Sequence, residues 1–215
     1  MGLMLLMPNY AAQHKTNVEA AGNSAVSPTV TPAKPAKSSL LLAALAADRE
    51  HLKGIRSLQR RTEIKCDLLP KYADYLTTVV NGDDYRHDEI LVTCCLWSVD
   101  AGKYQQFNLL AEFALKHGMK SPQGFTRNLP ELLMEELADI TLNHKQPALF
   151  GSSLELINEL TDQHDVLDEI AAKFHKARGM ALESSQPEQA LQAYYQAQRF
   201  GAAVKRVIKQ LEGLL

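Results

Sequence analysis

Arg49, Lys53, Arg56 and Arg60 fall at positions i, i+4, i+7 and i+11 within the stretch "DREHLKGIRSLQRR" (48–61). At 100° per residue, that spacing places four cations along one side of a helix. Such a row offers phosphate binding, because each neutralised phosphate releases condensed counterions and adds to affinity. Arg61, Lys65 and Lys71 extend the positive surface. Asp48, Glu50, Glu63 and Asp67 lie among these cations, so the row reads equally as an ordinary solvated face. The 215-residue chain carries a net charge of only −2, which makes its uneven distribution informative. Residues 1–80 hold 10 Lys and Arg against 6 Asp and Glu, a net +4, while residues 81–215 carry −6. A local basic region of this kind binds polyanions even when the total charge is near neutral.

The acidic residues have a plainer reading. Asp83, Asp84, Asp88 and Glu89 suggest a divalent-metal nuclease site, which requires carboxylates converging on one point. These four fall in a turn and at a helix start, where Asp and Glu are favoured as caps and near the positive end of the helix. The group Asp162, His164, Asp165 and Asp168 opens another helix in the same way. The seven histidines are scattered, with no H-x-x-x-H or H-E-x-x-H pair. His175 in "KFHKARG" reads as a satisfied surface or interface side chain. No phosphate-cradling G-x-x-x-x-G-K-[ST] loop and no G-x-S-x-G elbow occur. Cys66, Cys94 and Cys95 form no C-x-x-C pair and read as small buried hydrophobes in a reducing compartment. The residues therefore predict no catalytic group, no metal ligand and no cofactor.

The elements that must position the cations are helical. Ala, Leu, Glu, Lys and Gln are abundant, 46% of residues are apolar and only 7% are aromatic. Residues 8–38 lack hydrophobic periodicity and are rich in Pro, Ser, Thr, Asn and Ala, so residues 1–38 are expected to form a disordered arm. Ordered structure is expected from Ser38 or Ser39 as an N-cap. A first helix over 39–61 has Leu41, Leu45, Leu52 and Ile55 on its apolar side. A second runs over 62–80, with Pro70 breaking or kinking it. Further helices are expected over 87–100, from Lys103 to a stop at Gly118, and over 130–143, 153–161, 165–183, 187–199 and 202–213. "EILVTCCLW" (89–97) has the β-branched, apolar character of a buried strand, but its acidic start favours a fully buried helix. In the last helix Val204, Val207, Ile208, Leu211 and Leu215 share one side, which needs either a neighbouring subunit or the preceding hairpin to cover it. The predicted fold is all-α, an array of antiparallel helical hairpins. "MGLMLLMPNY" has no basic flank for a signal peptide, and "LLLAALAA" is far short of a membrane span, so a soluble, unexported chain is expected.

Four strings carry a family resemblance: "LLPKYADYLTTVVNG" (68–82), "HDEILVTCCLWSVDAGKY" (87–104), "AEFALKHGM" (111–119) and "KFHKARGMAL" (173–182). They resemble the small terminase subunit of peduovirus-type tailed phages and prophages, in unbroken order across roughly 40–213. The family's acidic pair before Ile-Leu falls on Asp88, Glu89, Ile90 and Leu91. Its Thr, Leu-Trp, Asp and Gly fall on Thr93, Leu96, Trp97, Asp100 and Gly102, and its K-x-H-K-x-x-G on Lys173, His175, Lys176 and Gly179.

The resemblance implies a genome-packaging role in the cytoplasm of the bacterial host. It implies a ring-like homo-oligomer that recognises double-stranded phage DNA and directs the terminase large subunit, which holds the ATPase and the nuclease. Family members are often labelled an endonuclease subunit, but the missing nuclease motif favours directing the cut over making it. Relatives often end in a Lys/Arg/Pro-rich tail, whereas this sequence stops at "KQLEGLL", so DNA contacts are expected from the first helices and the N-terminal arm. The expected organisation is an arm (1–38), a basic helical DNA-contact region (39–80) and a helical core and oligomerisation region (81–215). The expected DNA-binding residues are Arg49, Lys53, Arg56, Arg60, Arg61 and Lys65. Two other readings remain open: a metal-dependent endonuclease using the carboxylates at 83–89, and a helical protein–protein module without DNA binding.

Overall fold

Helix ends in this chain are set by a handful of small and polar residues, visible in the computed structural model, which describes residues 36–215. Among the described residues there are nine α-helices and no strand. The expected disordered arm lies outside them except at 36–38, which already belong to the first helix, α1 (Ala36–Lys53).

The first helix ends earlier than its periodicity suggests. The single helix expected over 39–61 is two, because α1 stops at Lys53 and α2 runs from Leu58 to Val80. Gly54 ends the first, with its N–H shared between the Glu50 and His51 carbonyls. Ser57 starts the second from an extended conformation, its Oγ accepting from the Arg60 N–H at 3.2 Å. Between them, Arg61 Nε donates to the Ile55 carbonyl at 2.6 Å, closing the turn. The four-residue row of cations therefore does not lie on one helix.

Pro70 does not break α2. It sits exposed in the middle of an unbroken helix. An interior proline costs about 3 kcal/mol. Leu69, Tyr72 and Leu76 on either side of it are fully buried, and burying each such side chain contributes about 1.5–3 kcal/mol, which outweighs the proline.

At the centre lies α3 (Glu89–Asp100), in which every residue from Ile90 to Val99 is buried. A helix apolar on all sides must be enclosed by other elements, and α1, α2, α4 (Tyr104–Lys116) and α5 (Leu129–Asn143) enclose it. The strand-like run "EILVTCCLW" is thus the innermost helix. Asp88 caps its start, and Gly102, at φ +69, turns the chain into α4. A 3-10 turn (Pro147–Phe150) leads into α6 (Gly151–Thr161) and α7 (Asp168–Leu182).

The last layer is α7, α8 (Pro187–Arg199) and α9 (Lys205–Glu212). Val204, Ile208 and Leu211 are buried in a cluster with Leu182, Ala190 and Tyr194. Most of the apolar side of the last helix is therefore covered by the preceding hairpin within the same chain, while Leu215 is 59% exposed. No helix among the described residues is long and apolar enough to cross a membrane.

Candidate functional site

The turn at 54–57 changes where each candidate cation goes. Arg49, Lys53, Arg61 and Lys65 line one cleft of about 550 Å³, reached from α1 on one side and α2 on the other. Its floor includes Trp97 and Leu96 of α3, and its far wall includes Phe125 and Glu136. Arg56, in the turn, and Arg60, on the first turn of α2, are exposed and do not line it.

These cations differ in what they already hold. Arg49 Nη1 donates to Glu89 Oε1 at 2.6 Å, and Nη2 donates to the Gln123 carbonyl. Glu89 in turn accepts the Gln123 N–H at 2.9 Å. The side chain of Arg49 thus clamps the loop between α4 and α5. Gly124 in that loop has φ +97, and a Cβ there would lie 3.5 Å from Arg49 Nη2. Lys65 pairs with Asp100, and exposed Lys53 pairs with Glu50 at 2.6 Å. Arg61 is bound to the Ile55 carbonyl. Lys71, which extends the basic surface, pairs with Asp48 at 2.8 Å. Arg56 and Arg60 make no side-chain hydrogen bond or ion pair among the described residues.

The carboxylates suspected of metal binding are used separately. Asp88 Oδ1 accepts the Leu91 N–H at 2.9 Å as the cap of α3, and Oδ2 accepts the Tyr75 hydroxyl at 2.5 Å. Burial and that bond push the Tyr75 phenol well above its ordinary value. Asp84 is bridged to Arg86, with Oδ2 at 2.6 Å, and Asp83 is exposed. Among the described residues, no three His, Cys, Asp or Glu side chains converge as a metal site would require. Burial pushes the Cys94 and Cys95 thiols up, so neither is a ready thiolate.

One buried polar group in the cleft is unsatisfied among the described residues. Thr93 is 4% exposed, and its Oγ1 has no hydrogen-bond partner among the described residues. Glu136 is partly exposed and makes no hydrogen bond or ion pair among the described residues; its carboxyl is pushed up by burial first and by Asp100 second, against the pull of Lys65 and Lys173.

A family model described as "Phage small terminase subunit" matches residues 42–169, more than half of the chain. The chain belongs to the phage small terminase subunit family. It is also 32% identical over 180 residues to "Terminase, endonuclease subunit" of Escherichia phage P2, covering 80% of this chain and 72% of that one. No solved structure matches it. In this small terminase subunit, the family match takes in α1 to α6 and the start of α7. The acidic pair Asp88 and Glu89 serves one helix cap and one loop clamp. The K-x-H-K-x-x-G string lies beyond the match, where α7 meets α8. Gly179 is there because a Cβ would come 2.7 Å from the ring of Tyr194.

The sequence reading missed the turn at 54–57, although Gly54 and Ser57 were the signals for it. It also missed Phe125, Thr93 and Glu136 as cleft residues. Nothing local could have found them, since they come from a loop, α3 and α5.

Proposed function

We propose that this small terminase subunit recognises phage DNA at the packaging site and directs the large terminase subunit to it. The supporting observation is that the cations of two helices flank one cleft while the exposed Arg56 and Arg60 have no side-chain partner among the described residues. In this reading Arg56, Arg60 and Lys53 meet phosphates, Arg61 and Lys65 border the path, and Arg49 holds the neighbouring loop in place. Residues 39–80 form the DNA-contact region and residues 81–215 the core and self-assembly region. The subunit assembles as a homo-oligomer in the cytoplasm of the infected bacterium, and repetition around a ring multiplies a modest charge per copy.

The relative's name brings in cutting. We read that role as directing cleavage, because Asp88, Glu89 and Asp84 are engaged as cap, clamp and turn groups and no three such side chains converge among the described residues. The test of the DNA reading is affinity for duplex DNA at several salt concentrations, for the parent protein and Arg56→Glu/Arg60→Glu. Each lost phosphate contact removes about 0.9 from the log–log slope, so the double variant should bind more weakly and lose about 1.8. Helicity should be unchanged, since exposed unpaired charges add little stability. A folded variant with unaltered affinity and slope moves the DNA site elsewhere. Mg²⁺-dependent cutting by the purified subunit, abolished by Asp83→Ala/Asp84→Ala, would establish the endonuclease reading instead.

A further inference from the structure

The cleft between α1, α2, α3 and the loop before α5 has a composition that duplex phosphates alone do not explain. Besides its cations it is lined by Trp97, Phe125 (46% exposed), the buried Thr93 hydroxyl, which has no partner among the described residues, and the partly exposed Glu136 carboxyl. Phosphates account only for the cations. A volume of about 550 Å³ is within the roughly 300–1,000 Å³ of small-ligand pockets. The loop that carries Phe125 is held by the Arg49–Glu89–Gln123 network, so the ring is presented by a fixed support.

We propose that this cleft receives a single unpaired nucleotide, the base stacking on Phe125 while Thr93 and Glu136 meet its polar edge and Lys53 and Arg61 meet the flanking phosphates. The assignment rests on the DNA-recognition reading above and adds to it a preference for unpaired bases. Aromatic rings beside a cationic path are the general means of holding single-stranded nucleic acid, because every base has a face to stack. The acceptor at Glu136 suits an exocyclic amino group, and Thr93 Oγ1 both donates and accepts. An acidic peptide would also match the cations, but its carboxylates offer no face to stack on Phe125.

The probes are three duplexes: fully paired, with one bulged base, and with an abasic residue at the bulge. Binding is read by anisotropy at low salt and by the emission of Trp97, the only tryptophan of the chain. The bulged duplex should bind about tenfold tighter than the abasic one, since stacking one base contributes about 1–3 kcal/mol. It alone should quench Trp97. Phe125→Ala should bring the ratio close to one and leave fully paired binding unchanged, and Phe125→Tyr should preserve the ratio. Equal affinity of the parent protein for bulged and abasic duplexes, with paired DNA still bound, overturns the nucleotide site and leaves the DNA reading standing. Failure to bind any of the three overturns both. If Phe125→Ala leaves the ratio intact but weakens association with the large subunit, the cleft belongs to a protein partner and the proposal falls.

Discussion

His175 illustrates how a residue's surroundings override its type. Its ring is stacked on Phe200 at 5.8 Å between centroids, and Arg178 Nη1 lies 3.4 Å from Nδ1. Burial first and Arg178 second lower its pKa to about 4 from 6.5, opposed by Glu155, which Arg178 grips at 2.8 and 2.9 Å. The folded chain therefore holds this ring neutral where the unfolded chain protonates it. The contribution to stability is full above about pH 6.5 and is lost as pH falls toward 4. Melting temperature against pH should fall across that window, and His175→Gln should flatten the slope. Equal slopes for the two proteins would remove His175 as the cause. Arg49 makes the same point through its partners. Its position in the basic row suggests a phosphate contact, and its partners make it the clamp of a loop.

At the scale of elements, the contact between α7 and α8 depends on one missing methyl group. The Cβ of Gly179→Ala would come within 2.7 Å of the Tyr194 ring, whose hydroxyl is held by Glu183. Alanine gains up to about 1 kcal/mol in helix propensity, and overpacking costs about 1–3 kcal/mol. The substitution should be net destabilising by about 1 kcal/mol, seen as a lowered midpoint in urea. A raised midpoint would mean that the ring relaxes freely. The turn between α1 and α2 is the other decisive element. Gly54 and Ser57 are small enough to be overlooked in a strong apolar pattern, yet they divide the basic row into two groups. Helix identity was legible almost throughout, because burial repeats every three or four residues and caps stand at the ends. The break within 39–61 was the exception, since leucine periodicity continues across it while the backbone does not.

For the whole molecule, the last helix closes the fold. Removing everything after Gly201 deletes Val204, Ile208 and Leu211 and uncovers Leu182 and Tyr194. Burying three such side chains contributes on the order of 5 kcal/mol, a large part of a typical domain's stability. The truncated chain should melt far lower or be insoluble. Parent-like melting of the truncated protein would show that α9 contributes little. Solution mass measured with and without DNA reads assembly separately from this intrachain role.

The sequence by itself determined the helical class, most helix positions, the buried character of α3 and the family, because periodicity, caps and short motifs are local properties of a chain. It also located the basic residues. Only the tertiary structure decided which of them share a cleft, which are tied to acids and which have no partner among the described residues. Those outcomes depend on side chains brought together across dozens of residues, such as Arg49 with Glu89 and Gln123, or Lys65 with Asp100. Spacing along one helix cannot encode a contact that two helices and a loop make together.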